Sequence, residues 1–139
     1  MVKVGNLRIR NALLCDDIRS EINNKHTLVG VYEGDIVVPA FPCSIPAALY
    51  IEGEVKKPGD TQIVLRMSGP GNDETVFNAK FSTTTKNDAV SVPIRLPAVR
   101  MGQAGTFRFE ASADNEKWVT LVEKKVGQSD DLRKQPAEN

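Results

Sequence analysis

Six ionisable side chains crowd one short stretch of the chain: Asp16, Asp17, Arg19, Glu21, Lys25 and His26. Three carboxylates and the single histidine fall within eleven residues, a donor set that a divalent cation could use. In an extended strand, however, Asp17, Arg19 and Glu21 share one face. The guanidinium then sits between the two acids and neutralises the field that a cation needs. Cross-strand ion pairs on a solvated hairpin face account for these residues more simply. Asp16 is left on the opposite face with no evident partner.

Loop acids offer a second candidate. Asp35, Asp60, Asp73, Asp88 and Asp114 fall in or beside expected turns, but calcium needs roughly six to eight oxygens converging on one point. These acids are mostly single per loop, and an Asx turn explains each. No metal ligands are assigned. Nucleophilic chemistry would need Cys15 or a serine beside His26. A hairpin centred on Asn24 pairs a residue near Ile22 with His26 and sets Cys15 opposite roughly Glu33, too far for a hydrogen bond. The sequence contains no G-x-S-x-G, Walker-type loop, G-x-G-x-x-G or C-x-x-C. No catalytic or cofactor-binding residue is assigned, and the expectation is a protein that is not an enzyme.

Nucleic acid would be met by Lys3, Arg8, Arg10, Lys56, Lys57, Lys124 and Lys125, which are dispersed along the chain. Aromatics with a polar handle are limited to Tyr32, Tyr50 and Trp118. Ordinary solubilising charge is the better account, so no nucleic-acid partner is expected. Trp118 opens the last strand, where it is either a partner anchor or a core tryptophan. The candidate interaction surface is therefore Asp16, Asp17, Arg19, Glu21, His26 and Trp118.

Strands must position these residues, because period-two alternation recurs along most of the chain and helical periodicity does not. Leu13 to Tyr32 forms a hairpin, with Asn23 and Asn24 suited to its turn because Asn tolerates positive φ. Its second arm, His26 to Tyr32, is apolar on both faces through Leu28, Val29 and Val31, which predicts a central strand. Gly30 within it signals a bulge or a close neighbour. Asp35 to Val38 is a short strand, and Pro39, Pro42 and Pro46 then mark an edge or a crossover between sheets. Inward faces follow at Ile45, Ala47, Leu49 and Ile51, at Ile63, Leu65 and Met67, and at Phe77, Ala79 and Phe81. Val90, Val92, Ile94 and Leu96 continue the pattern, with Pro93 placing that strand at an edge. Phe107, Phe109 and Ala111 pack in the last hairpin, whose loop is Asp114 to Lys117 before a return from Trp118 to Val126. Seven to nine strands in this arrangement predict an all-β, two-layer antiparallel sandwich.

The totals agree with one such unit. A chain of 139 residues supports one core, placed in residues 1–126, with 127–139 expected to be a flexible tail because Leu132 is its one larger aliphatic residue. Lys plus Arg equals Asp plus Glu at 18 each, so no overall field draws the chain to an anionic polymer or membrane. The start lacks an unbroken apolar signal segment, and no run has the length of a membrane span. A cytoplasmic location is expected, with Cys15 and Cys43 as buried, reduced thiols rather than a disulfide.

Asp16, Asp17, Ile18, Arg19, Glu21, Lys25, Leu28, Val29, Gly30 and Tyr32 follow a pattern of paired acids, Ile-Arg, Glu, Lys, a hydrophobic pair and Gly-x-Tyr. With the ending Gly105-Thr106-Phe107-Arg108-Phe109, a loop and Trp118, this resembles an uncharacterised family of small bacterial proteins defined as a domain of unknown function. The resemblance implies an immunoglobulin-like or C2-like sandwich and no activity. The function expected is a non-enzymatic binding or structural module, acting on an unknown protein partner or by self-association. The alternative is a module dependent on a metal or small ligand held by acids of the Asp16 to His26 hairpin or the loop tips.

Overall fold

Alternating apolar residues zip into ten strands in the computed structural model, which describes residues 2–72 and 74–129. They are β1 (Val2–Val4), β2 (Leu7–Ser20), β3 (His26–Val31), β4 (Ile36–Val38), β5 (Cys43–Val55), β6 (Gly59–Ser68), β7 (Thr75–Thr83), β8 (Asp88–Met101), β9 (Gly105–Ser112) and β10 (Val119–Gln128). The chain is all-β, in two five-stranded sheets. In the first, which we call the hairpin sheet, β2 lies beside β5 and β5 beside β8, while β1 and β3 both pair with β2. Because Leu7 pairs with Val4 and Val55, and Cys15 with Val31 and Ala48, β1 and β3 occupy opposite ends of the same side of β2. The second sheet runs β4-β10-β9-β6-β7.

Both sheets contribute to one core. Leu7, Ile9 and Leu14 of β2 and Leu49 and Ile51 of β5 meet Ile63 and Leu65 of β6 and Phe107 and Phe109 of β9, all at most 3% exposed. The two phenylalanines contact edge to face, with centroids 5.6 Å apart, a favoured aromatic geometry. The inward faces expected for β5, β6 and β9 are therefore those that pack. Phe77, Ala79 and Phe81 of β7 and Val90, Val92, Ile94 and Leu96 of β8 are only half-buried, as suits strands with one neighbour each, whereas Val99 and Met101 at the end of β8 are buried in the core. Pro93 stands on such an edge, as its missing N–H requires.

Five expectations need correction. The strand count exceeds seven to nine because β1, a three-residue strand, pairs where no alternation is long enough to announce it. One pair, β4 with β10, is parallel. β3 is an edge strand, not a central one: it pairs with β2 alone, and Val29 and Val31 are 37% and 42% exposed. Its apolar residues are a surface, so apolarity on both faces did not signify burial on both. The domain also reaches past residue 126, since Gly127 and Gln128 pair with Val37 and Val38; from 130 onward the expected tail lies outside the described residues. Both thiols are free, with Cys15 buried as expected but Cys43 only half-buried.

Two glycines shape the hairpin sheet. Gly53 faces a bulge in β2 between Ile9 and Asn11, and a Cβ there would meet the Arg8 carbonyl oxygen at 2.0 Å. The extra residue deepens the local bend of β2, and only glycine lets the two backbones approach so closely. Pro39 and Pro42 lie between β4 of one sheet and β5 of the other, the crossover that their spacing indicates. Gly53→Ala should lower stability by about 1–3 kcal/mol, since backbone rather than a movable side chain must yield. Gly34→Ala, in open space, should change it by less than about 0.5 kcal/mol; urea unfolding of both variants compares the two sites.

Candidate functional site

β2 is long enough to serve two neighbours in succession. Its first part pairs with β5 as far as Cys15, opposite Ala48; its second part continues with β3 alone. The turn of this hairpin uses Asn23 and Asn24 at φ 61° and 57°, as their tolerance of positive φ anticipates. Glu21 N–H donates to the Lys25 carbonyl at 2.8 Å, and Ser20 pairs with His26. The turn is thus centred on Asn23, and Cys15 faces Val31 rather than Glu33.

Contacts on the outer face of the hairpin sheet hold this arm. Arg95 of β8 donates from Nε to the Ile18 carbonyl at 2.7 Å and from Nη2 to Ser20 Oγ at 3.3 Å. Cys15, Ile18 and Ala48 form a second small core there, with Leu28 and Tyr50 packed against it. His26 rests on Tyr50, with ring centroids 5.5 Å apart and planes tilted by 58°. Between the arm and the sheet lies an open cleft of about 590 Å³. Tyr50, Glu52 and Ser91 line it from the sheet, Arg10 from the bulge, and Glu21, Lys25 and His26 from the hairpin end. Arg10 reaches Glu54 at 3.3 Å, and Asn11 donates to Glu52. Lys25 makes no ion pair among the described residues.

The expected surface residues separate into three groups. Glu21 and His26 line the cleft. Asp17 and Arg19 are exposed and 4.0 Å apart, a weak contact in water, and Glu21 lies beyond the end of β2 instead of completing their row. Asp16 does have a partner: it accepts the Tyr32 hydroxyl at 2.9 Å. Its carboxylate lies over Gly30, at φ 67°, where a Cβ would meet Asp16 Oδ2 at 2.2 Å. The close neighbour that Gly30 signals is therefore Asp16, which the corrected register sets opposite it. Trp118 belongs elsewhere. It is half-buried, with the Arg66 guanidinium 3.9 Å above its ring. Arg66 also makes two hydrogen bonds to Glu110, at 3.0 and 3.1 Å, and an ion pair with Glu74 at 3.2 Å. It thus covers the tryptophan from β6.

Chemistry at these groups is subdued. Burial, foremost, pushes the Cys15 thiol above its ordinary range, and its sulfur approaches the Asp17 and Ala48 carbonyls. Five strand positions separate it from the residue opposite His26. Asp114 is held near a pKa of about 2 by the backbone N–H groups of Lys117 and Glu116 and by Ser112, the Asx turn expected of it. Asp60 accepts the Ser82 hydroxyl, and Asp73 lies outside the described residues. No three His, Cys, Asp or Glu side chains converge among the described residues. No helix among them is long and apolar enough to cross a membrane. Sequence reasoning missed Glu52, Ser91 and Arg95, and weighed Arg10 and Tyr50 only for nucleic acid, because all five become neighbours of the hairpin only in the folded sheet.

Comparison with known proteins adds three findings. A model described as a family of unknown function (DUF6941) matches residues 10–121. No curated protein matches the chain. The crystal structure of a beta-glucosidase from Listeria innocua in complex with glucose is similar over 87% of this chain and 16% of its own, at 9% identity and a TM-score of 0.45. The chain spans far less than two thirds of that protein, and a likeness of this size carries no argument.

Burial, then the hydrogen bond to Asp16 and its charge, raise the Tyr32 pKa to about 12. Tyr32 should therefore ionise about two units above an ordinary tyrosine. Because the neutral form is the one favoured by folding, its contribution to stability is full below about pH 10 and is lost between about pH 10 and 12. Phenolate absorbance followed against pH should show a component near 12 that Tyr32→Phe removes. A wild-type titration complete by about pH 10.5 would contradict the placement of this hydroxyl.

Proposed function

The chain belongs to the family of unknown function DUF6941, and we propose that it is a non-enzymatic binding module that receives a protein partner in the cleft beneath the β2–β3 hairpin. The observation that carries this reading is the cleft itself, about 590 Å³ with an aromatic floor at Tyr50 and His26 and a charged lip at Lys25 and Glu21. Ligand sites combine concavity, apolar surface and a few convergent polar groups in this way. The arm that forms the roof is anchored by Arg95 and a small core of its own, so the cleft is formed before binding. A dependence on metal is the weaker alternative, because Asp16 is engaged by Tyr32 and Asp17 lies beside Arg19.

The same reading takes the two sheets as the layers of an immunoglobulin-like or C2-like sandwich, supported by the core to which both contribute. It places the protein in the cytoplasm, supported by two thiols that stay free. Nucleic acid is not the partner in this reading: Arg8 and Arg10 both engage Glu54 rather than forming an open basic track.

A photo-crosslinking residue at position 91, in the cleft, should yield a discrete crosslinked protein in cells. The same residue at exposed position 120, on the second sheet, should not. Tyr50→Ala combined with the probe at 91 should suppress the crosslink. Equal labelling from both positions would sink the proposal, and so would substrate turnover abolished by His26→Ala.

A further inference from the structure

Edge strands expose unpaired backbone groups, and proteins ordinarily blunt them. Here β1, β3, β4, β7 and β8 each pair on one side only. β1 and β4 are three residues long. β3 is interrupted by Gly30 at φ 67°, and β8 carries Pro93 and Pro97, which have no N–H to offer. β7 has none of these devices. Nine consecutive residues pair with β6 without a register shift, and the strand contains no proline, no glycine and one charge, Lys80. Its inward residues Phe77, Ala79 and Phe81 remain half-buried, while Val76 is 56% exposed on the outer face.

Five of the nine positions of this edge keep their residue type when the sequence is read in reverse, the exchanges being Val76 with Ser82 and Asn78 with Lys80. Thr75-Val-Phe-Asn-Ala-Lys-Phe-Ser-Thr83 places Thr75 and Thr83, Phe77 and Phe81, and Asn78 and Lys80 symmetrically about Ala79. We infer that β7 is a dimerisation edge: a second copy of this chain pairs with it antiparallel about a two-fold axis through Ala79, joining the two second sheets into one.

In that register Phe77 faces Phe81 of the partner subunit and Phe81 faces Phe77 of the partner subunit, two aromatic cross-strand pairs flanking a small residue at the axis. Lys80 faces Asn78 of the partner subunit, a neutral acceptor, so no like charges meet. The Thr83 hydroxyl, buried and without a hydrogen-bond partner among the described residues, faces Thr75 of the partner subunit. Moving the axis to Lys80 would set two ammonium groups against each other. Moving it to Asn78 would separate the phenylalanine pairs. Any shift by an odd number of residues would set inward side chains against outward ones. The charge pattern and the aromatic pattern therefore select the same axis.

A strand pair about 30 Å long is a small interface, so the dimer should be weak, with a Kd on the order of tens of micromolar. Sedimentation equilibrium from about 1 µM to about 1 mM should show a reversible monomer–dimer transition. Asn78→Lys opposes two ammonium groups at both symmetry-related positions and should weaken the dimer about tenfold or more. Adding Lys80→Glu to the same chain should restore it, because each new lysine then faces a carboxylate. Both side chains are exposed, and circular dichroism confirms that the variants remain folded. In the wild-type protein, amide protection along β7 should rise with concentration. A monomer throughout the range, a single variant that dimerises like wild type, a double variant as weak as the single, or protection independent of concentration would each overturn the inference.

Discussion

A backbone carbonyl that leaves its sheet must find another donor, and the meeting of Ile18 with Arg95 is where this chain answers that requirement. Past Cys15, β2 has no β5 beside it, so its carbonyls on that side lose their ladder. The Arg95 guanidinium supplies a charged hydrogen bond at 2.7 Å from the far edge of the same sheet, of the kind stronger than a neutral one. The small core of Cys15, Ile18 and Ala48 beneath the arm and the tilted contact of His26 with Tyr50 accompany that connection. Close packing at Gly53 acts at the other end of the same strand, where the bulge bends β2.

The outer faces of the two sheets contrast. On the second sheet Arg66 stacks on Trp118 and binds Glu110 through two hydrogen bonds, while Arg108 binds Glu123 at 2.8 Å. These charges meet within the sheet, and its largest aromatic is capped. On the hairpin sheet, Lys25 and Glu21 instead stand at the mouth of a concavity whose aromatic floor is open. The difference lies in topology: only the hairpin sheet has a strand long enough to carry a projecting arm.

Much of the fold is legible in the sequence because its signals are local. Alternation marks the core faces of β5, β6 and β9, the asparagine pair marks the first turn, and the prolines mark an edge and a crossover. The candidate site is less legible, since its residues come from β2, the first turn, β5 and β8, and nothing local brings Arg95 to Ile18. Asp16 illustrates the boundary. Its partner, Tyr32, and the glycine beneath it are both in the hairpin, yet a turn centre displaced by about one residue hides the relation. β3 shows a different limit: hydrophobic composition describes a strand, whereas centrality depends on neighbours that the strand does not encode.

The parallel pairing of β4 with β10 has a further consequence for the order in which the molecule can be assembled. Residues 36–38 find their sheet partner only in residues 126–128, so during synthesis β4 stays unpaired until nearly all of the described chain has been made. The β2–β3 arm, its turn and the pairing to β5 are available from the first 55 residues. Closing so long a loop is entropically slow compared with forming a local hairpin. The hairpin that frames the cleft can therefore exist on the nascent chain well before the second sheet is complete, and the last strand acts as the latch.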